Sequence, residues 1–340
     1  MIDWDALAAA YAEDRVYAVQ LEVGDRCEQG CSYCYMNALP EARNTLSTAR
    51  LETVLEDAAG LGVTAVEWLG GEPLLREGVF ALMGRARKLG LRNNVWTGGL
   101  PLADREVLEE TAVAAENGLI SVHCSTVDPA LYRRLHPGRD ERDLAAILDA
   151  VETLLELGYP PSRMLNSVTL TGVQGAADMV RTVDHFEREY GVTTSLNVYH
   201  TYLRPGQGSE RLAEFIPSVR DVARVYARLG RQYGGPLPMN CVDKHYCSAT
   251  VAVLADGSVT PCATIRDPEA PSLHRDGGLA EIFGRQRDHL VFKPMKTGEA
   301  LPERCRSCDL ADSCFGCRSR AWAAGLGLYG PDPRCFRGGG

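Results

Sequence analysis

From about Tyr17 to Tyr202 the chain alternates short β-branched or apolar runs with stretches whose apolar residues recur at helical spacing. This is the pattern of a parallel sheet covered by helices. Six runs read as strands: Tyr17–Val23, Ala65–Leu69, Asn94–Thr97, Leu119–Cys124, Leu165–Leu170 and Thr194–Tyr199. Each is followed by a turn or a helix. Leu51, Val54, Leu55 and Ala58 follow the helix cap Ser47, and Leu144, Ile147, Leu148, Val151, Leu154 and Leu155 share one helical face. Six βα units are too few for an eight-stranded barrel. Right-handed crossovers still curl them into an α/β partial (β/α)6 TIM-like barrel with a lateral mouth, whose chemistry belongs at the C-terminal strand ends.

The Gly- and Pro-rich stretch Leu203–Pro217 closes this section, and a helix around Ser218–Gln232 bridges to a Cys-rich region. There Val251–Thr260 reads as a hairpin turning at Asp256-Gly257. The expected division is an N-terminal extension (1–15), the barrel (16–210), the bridging helix (211–234) and a small Cys-rich domain with a β-hairpin (235–340).

Composition changes this picture in two ways. The N-terminus has neither a basic n-region nor an apolar h-region, and no stretch approaches a membrane span. This reads as a cytoplasmic protein without a membrane partner, in a compartment that keeps thiols free for metals or catalysis. The formal charge of −9 leaves no electrostatic footprint for nucleic acid.

Eleven of the twelve cysteines fall into two groups. Cys27, Cys31 and Cys34 follow the first strand, and Cys241, Cys247, Cys262, Cys305, Cys308, Cys314, Cys317 and Cys335 populate the C-terminal region. Three thiolates can hold three irons of a [4Fe-4S] cube and leave the fourth iron open, whereas four close a cluster. For Cys305 to Cys317 alone, paired Cys-x2-Cys units also suit a structural zinc. Cys124, at the end of an apolar strand, reads as a small packed hydrophobe.

Cys27-x3-Cys31-x2-Cys34-Tyr35, with Gly70-Gly71-Glu72-Pro73 after the second strand, resembles the radical S-adenosylmethionine (SAM) superfamily over about residues 16 to 202. The resemblance implies that SAM chelates the open iron and is cleaved to methionine and a 5′-deoxyadenosyl radical, which abstracts hydrogen. Gly70, Gly71 and Glu72 match the segment receiving the SAM amino group, where glycines let backbone approach a ligand. Tyr35 would lie near the adenine. At the family's ribose-contacting serine stands His123, so either His123 or Ser125 takes that role. Arg134, eleven positions after His123, either meets the SAM carboxylate or is a solvated helix residue.

The C-terminal spacing resembles the SPASM extension of radical SAM enzymes. By that resemblance, auxiliary cluster I takes Cys241, Cys247, Cys262 and Cys317, and auxiliary cluster II takes Cys305, Cys308, Cys314 and Cys335. Three [4Fe-4S] clusters and SAM are thus the expected cofactors. Full auxiliary ligation favours net oxidation, because a second cluster can accept the electron left on a substrate radical. Ala263 occupies the place where sulfatase-maturating members carry an acidic residue, which counts against that activity.

The implied activity is that of a radical SAM oxidoreductase or maturase, dehydrogenating or crosslinking a peptide or protein side chain. Oxidation or epimerisation of a small natural product such as a sugar is the rival, with Cys124 the one obvious hydrogen donor. An iron-sulfur electron carrier without SAM chemistry is the third reading, opposed by Gly70–Glu72. Tyr199, His200 and Tyr202, at the end of the sixth strand, are candidate bases, and His200 also reads as a histidine satisfied by neighbouring backbone. His245 lies between two cluster ligands. A flavodoxin or ferredoxin would supply the low-potential electron. Only about fifteen residues precede the first strand, so a leader-bound peptide needs a separate recognition protein or a direct contact with the barrel.

Overall fold

The six expected strands form in the expected order, in a computed structural model that describes residues 2–44, 46–199 and 213–337. After a first helix, α1 (Trp4–Ala12), come β1 (Ala18–Glu22), α2 (Thr48–Gly60), β2 (Ala65–Leu69), α3 (Val79–Lys88), β3 (Arg92–Thr97), α4 (Arg105–Ala114) and β4 (Leu119–His123). Then follow α5 (Pro129–Leu135), α6 (Glu141–Glu156), β5 (Met164–Leu170), α7 (Gly175–Tyr190), β6 (Thr193–Val198) and α8 (Val219–Gln232). Neighbouring strands from β1 to β6 pair in parallel. Local signals set the helix starts: Ser47 Oγ accepts from Arg50 N–H at 3.2 Å, and Asp140 with Asp143 forms a capping box on α6.

The two faces of this sheet differ. Val19, Leu21, Val66, Trp68, Val95, Ile120 and Val122 point outward into one core with Leu51, Val54 and Leu55 of α2, Leu82 and Met83 of α3, and Ile147 and Val151 of α6. Burying each large side chain contributes roughly 1.5–3 kcal/mol. The inner face is polar. Gln20 pairs in register with Glu67, Glu67 with Asn94, Trp96 with Ser121, His123 with Ser167, Ser167 with Ser195 and Thr169 with Asn197. A parallel sheet covered on both faces reads as continuous apolar runs. Burial that alternates residue by residue along β3 and β6 therefore marks an inner face left open.

Two features differ from the expectation. The N-terminal extension is helical, with Asp3 capping α1 and Leu7 and Ala10 buried against Tyr17, Tyr246 and Ala249. The C-terminal hairpin, β7 (Thr250–Val253) and β8 (Val259–Thr260), joins the barrel sheet: β7 pairs in parallel with β1, giving the order β6-β5-β4-β3-β2-β1-β7-β8. The expected division at residue 235 therefore cuts across a shared sheet. No helix among the described residues is long and apolar enough to cross a membrane.

Candidate active site

The loop after β1 is fixed by backbone before any ligand is considered. Asp25, buried, accepts Arg43 N–H at 2.7 Å and Asn44 N–H at 3.1 Å, closing the loop on itself. Cys27 N–H donates to Leu39 carbonyl at 2.7 Å. Gly71 N–H and Glu72 N–H, after β2, donate to the carbonyls of Gly24 (2.9 Å) and Arg26 (2.7 Å). The glycines expected to admit a ligand have a nearer reason to be glycine. A Cβ on Gly71 would sit 2.2 Å from the Arg26 carbonyl oxygen, and one on Gly70 2.5 Å from that of Gly24.

Glu72 turns its carboxylate into the protein. It accepts from Thr97 Oγ1 (2.9 Å), Gly98 N–H (2.7 Å) and Leu74 N–H (3.1 Å). Burial nevertheless raises its pKa to about 7. Together with Cys27, Gln29, Leu100, Pro101 and Arg139 it lines a cavity of about 270 Å³ at this rim.

Burial pushes the Cys27 thiol up to about 12 and holds Cys31 well above its ordinary value, with the neighbouring thiols of the set adding to both. Such thiols become thiolates only when a cation is there to hold them. Backbone N–H groups approach two of the sulfurs, Gln29 to Cys27 (3.4 Å) and Ala38 to Cys34 (3.5 Å). Hydrogen bonds of this kind are a lever on iron-sulfur clusters, so the donor set fits the cube. Among the described residues, no group of three or more His, Cys, Asp or Glu stands at the distances of a single-ion site.

The end of β4 gathers a polar cluster around a tyrosine that the sequence reading passed over. Tyr33 hydroxyl lies 2.8 Å from His123 Nε2, 3.0 Å from His136 Nε2 and 3.3 Å from Ser125 Oγ. His136 Nδ1 faces the Tyr132 carbonyl at 3.0 Å, an acceptor, so this nitrogen carries the proton and Nε2 receives the Tyr33 hydroxyl. Burial lowers both histidines to about 4, keeping them neutral. The available signal was the aromatic between the second and third cysteines. Tyr35, expected near the adenine, donates to Glu22 at 3.0 Å and lies beneath the Arg266 guanidinium, 5.3 Å from its ring centre.

His123 and Ser125 thus stand together, 3.1 Å apart. Arg134 does not join them: its side chain is 62% exposed and 3.8 Å from Glu214, the placement of a solvated helix residue. Tyr199 is buried with Tyr33, Leu135 and Phe215. His200 and Tyr202 lie outside the described residues. Cys124 is buried and donates to Thr126 carbonyl at 3.3 Å, a packed thiol.

The C-terminal cysteines assemble as two sets. Burial raises the Cys241, Cys247 and Cys262 thiols, and neighbouring Cys317 adds to all three. Burial likewise raises Cys305 and Cys314, neighbouring Cys335 adds to both, and Cys308 lines the same small cavity with them. Cys314 sulfur faces Met239 N–H (3.2 Å) and Gly316 N–H (3.3 Å). The first set is tied to the inner face of the barrel: Cys241 Sγ lies 3.2 Å from Asn197 Oδ1, and Ala263 N–H donates to Gln20 at 2.9 Å. Arg266, four residues after Cys262, pairs with the fully buried Glu22 of β1. His245 is held by Asp243 (3.1 Å) and packs on the Tyr11 ring, 4.3 Å between centres.

Comparison with known proteins agrees with this arrangement. Residues 21–185 match the radical SAM superfamily. The PqqA peptide cyclase of Xanthomonas oryzae pv. oryzae (strain MAFF 311018) is 28% identical over 345 residues, covering 94% of this chain and 87% of the relative. That of Rhizobium meliloti (strain 1021) is 26% identical over 340 residues, with the same coverage of 94% and 87%. Among solved structures, Streptococcus suis SuiB bound to S-adenosylmethionine superimposes with a TM-score of 0.68 at 16% identity, covering 98% of this chain and 81% of that one. Native anSMEcpe with bound AdoMet and Cp18Cys peptide gives 0.66 at 16% identity, covering 89% of each chain. Residues 21–185, which hold the partial barrel and the cysteine loop, are thus similar to the radical SAM superfamily, and the Cys-rich C-terminal region lies beyond that match.

Proposed function

We propose that this enzyme oxidises a side chain of a peptide, joining or desaturating it with net loss of two hydrogens. The observation that carries the reading is the pair of four-cysteine sets beyond the barrel, the first in contact with the inner face through Cys241 and Asn197. The relatives named as PqqA peptide cyclases support a peptide as the substrate. Cys27, Cys31 and Cys34 hold the SAM-binding cluster, and Gly70–Glu72 with His123 and Ser125 border the SAM site. Bound there, the cluster and SAM supply an acceptor for one hydrogen atom of the substrate. Cys241, Cys247, Cys262 and Cys317 would hold a cluster able to take up the second electron, with the accompanying proton released to solvent, so that atoms and charge balance. Cys305, Cys308, Cys314 and Cys335 hold the second auxiliary cluster. A low-potential donor such as a flavodoxin or ferredoxin supplies the electron that SAM cleavage consumes, and a separate recognition protein is one route for a leader-bound peptide.

The test is iron and labile sulfide per chain after anaerobic reconstitution, repeated on a Cys27, Cys31, Cys34→Ala triple variant. About twelve irons, falling to about eight, support three cubes. About four irons with bound zinc, falling to none, would make the C-terminal region structural and sink the oxidative reading.

A further inference from the structure

A buried cation without a carboxylate stands between the two C-terminal thiol sets. Arg318 directly follows Cys317 and is 2% exposed. Its guanidinium donates to four main-chain carbonyls: Leu328 (2.9 Å) and Gly330 (2.8 Å) from Nη1, Phe315 from Nη2 and Gly316 (3.3 Å) from Nε. It forms no ion pair among the described residues. Arg320, two positions on, behaves differently: it pairs with the equally buried Asp332 at 2.7 Å, and Asp332 also accepts Cys317 N–H at 2.9 Å. Asp332 is thus matched by Arg320, and no carboxylate ion pair offsets the charge of Arg318 among the described residues.

Carbonyl dipoles satisfy the N–H groups of Arg318 without neutralising it, and a lone buried charge is costly. Two of its acceptors, Phe315 and Gly316, are the residues that join Cys314 of one set to Cys317 of the other. Its charge therefore sits where both sets meet.

We propose that Arg318 is the charge complement of the two auxiliary clusters, and that its guanidinium favours their reduced forms and so eases acceptance of the substrate's second electron. This rests on the reading of the eight cysteines as ligands of two clusters. A four-thiolate cube carries net negative charge and gains one more on reduction, so a fixed cation nearby raises its potential. Arginine suits the post because its planar fork fills four carbonyls at once and stays charged. The Arg320–Asp332 pair, nearly neutral as a unit, adds little to this effect.

The experiment uses the Cys27, Cys31, Cys34→Ala background, in which only auxiliary iron remains, and compares Arg318, Arg318→Lys and Arg318→Met by redox titration followed by electron paramagnetic resonance. Arg318→Met is expected to make the clusters about tenfold harder to reduce, about 59 mV lower for a one-electron couple, while Arg318→Lys stays near the parent. Loss of auxiliary iron in Arg318→Met with full iron in Arg318→Lys is the same effect at its limit and supports the proposal. Equal behaviour of the two variants overturns it, whether both are unshifted, both shifted or both without iron. A background protein that binds no iron at all overturns the cluster reading itself, before any Arg318 variant is made.

Discussion

The two cysteine regions are built on opposite plans. Cys27, Cys31 and Cys34 hang from the end of β1 on a loop that two N–H bonds from Gly71 and Glu72 and the carboxylate of Asp25 already hold in shape. Beyond β8 the described residues form one twelve-residue helix, Leu279–Leu290, and otherwise helices of four to six residues. The apolar cluster there is small, centred on Ile265, Phe292, Met295 and Phe315, and polar groups such as Arg318 and Asp332 are buried beside it. A thiol set mounted on a sheet is positioned by backbone before iron arrives. A set mounted on loops is positioned in large part by the metal it binds, because metal-binding free energy is then folding free energy.

On the proposal that the eight C-terminal cysteines hold two clusters, stripping the iron should split the molecule's behaviour. Amide exchange protection in the segment from about residue 300 to 337 is expected to collapse, while β1 to β6 keep theirs. Equal loss in both regions would erase the contrast. The next effect is confined to the other region. Gly71→Ala drives a Cβ into the Arg26 carbonyl, 2.2 Å away, and should cost the enzyme the cluster on that loop. About four of about twelve irons would be lost, with the auxiliary iron unchanged.

A smaller effect probes the cluster at the end of β4. Burial holds His136 neutral with its pKa lowered to about 4, so the unfolded chain takes up the proton first as pH falls. Its contribution is complete above the unfolded value near 6.5 and disappears as pH drops toward 4. Urea denaturation should show the parent losing about 2 kcal/mol more than His136→Gln between pH 7 and pH 5. Smallest of all, Arg134→Ala should change stability by less than about 0.5 kcal/mol and leave reductive SAM cleavage, read as 5′-deoxyadenosine formed, at the parent level. A large loss of cleavage would return Arg134 to the site from which its exposed pairing with Glu214 removes it.

What was legible in the sequence follows from how local each signal is. Strand and helix periods, the Ser47 cap and the Asp256-Gly257 turn are properties of neighbouring residues, and each appears where the sequence places it. The pairing of β7 with β1 joins residues more than two hundred positions apart, and no local pattern announces it. Glu22 with Arg266 is as remote, and Cys241 beside Asn197, 44 positions apart, is equally unannounced by any local pattern. Tyr33 was in plain view within the cysteine motif. Tyr35, one residue past the motif, has its hydroxyl turned toward Glu22. The polar inner face was also present as alternation in Asn94–Thr97 and Thr194–Tyr199, a pattern that separates an open lumen from a filled one.

β1 has a neighbour on each side, β2 and β7, and one of those neighbours comes from the Cys-rich region. Cutting the chain before residue 250 would leave the backbone of Ala18–Leu21 as a bare margin, an invitation to pair with another copy. The barrel of this enzyme is therefore not a detachable chassis to which alternative C-terminal modules can be bolted. A chimera would keep its solubility only if the graft carried its own strand to lie against Ala18, Val19, Gln20 and Leu21.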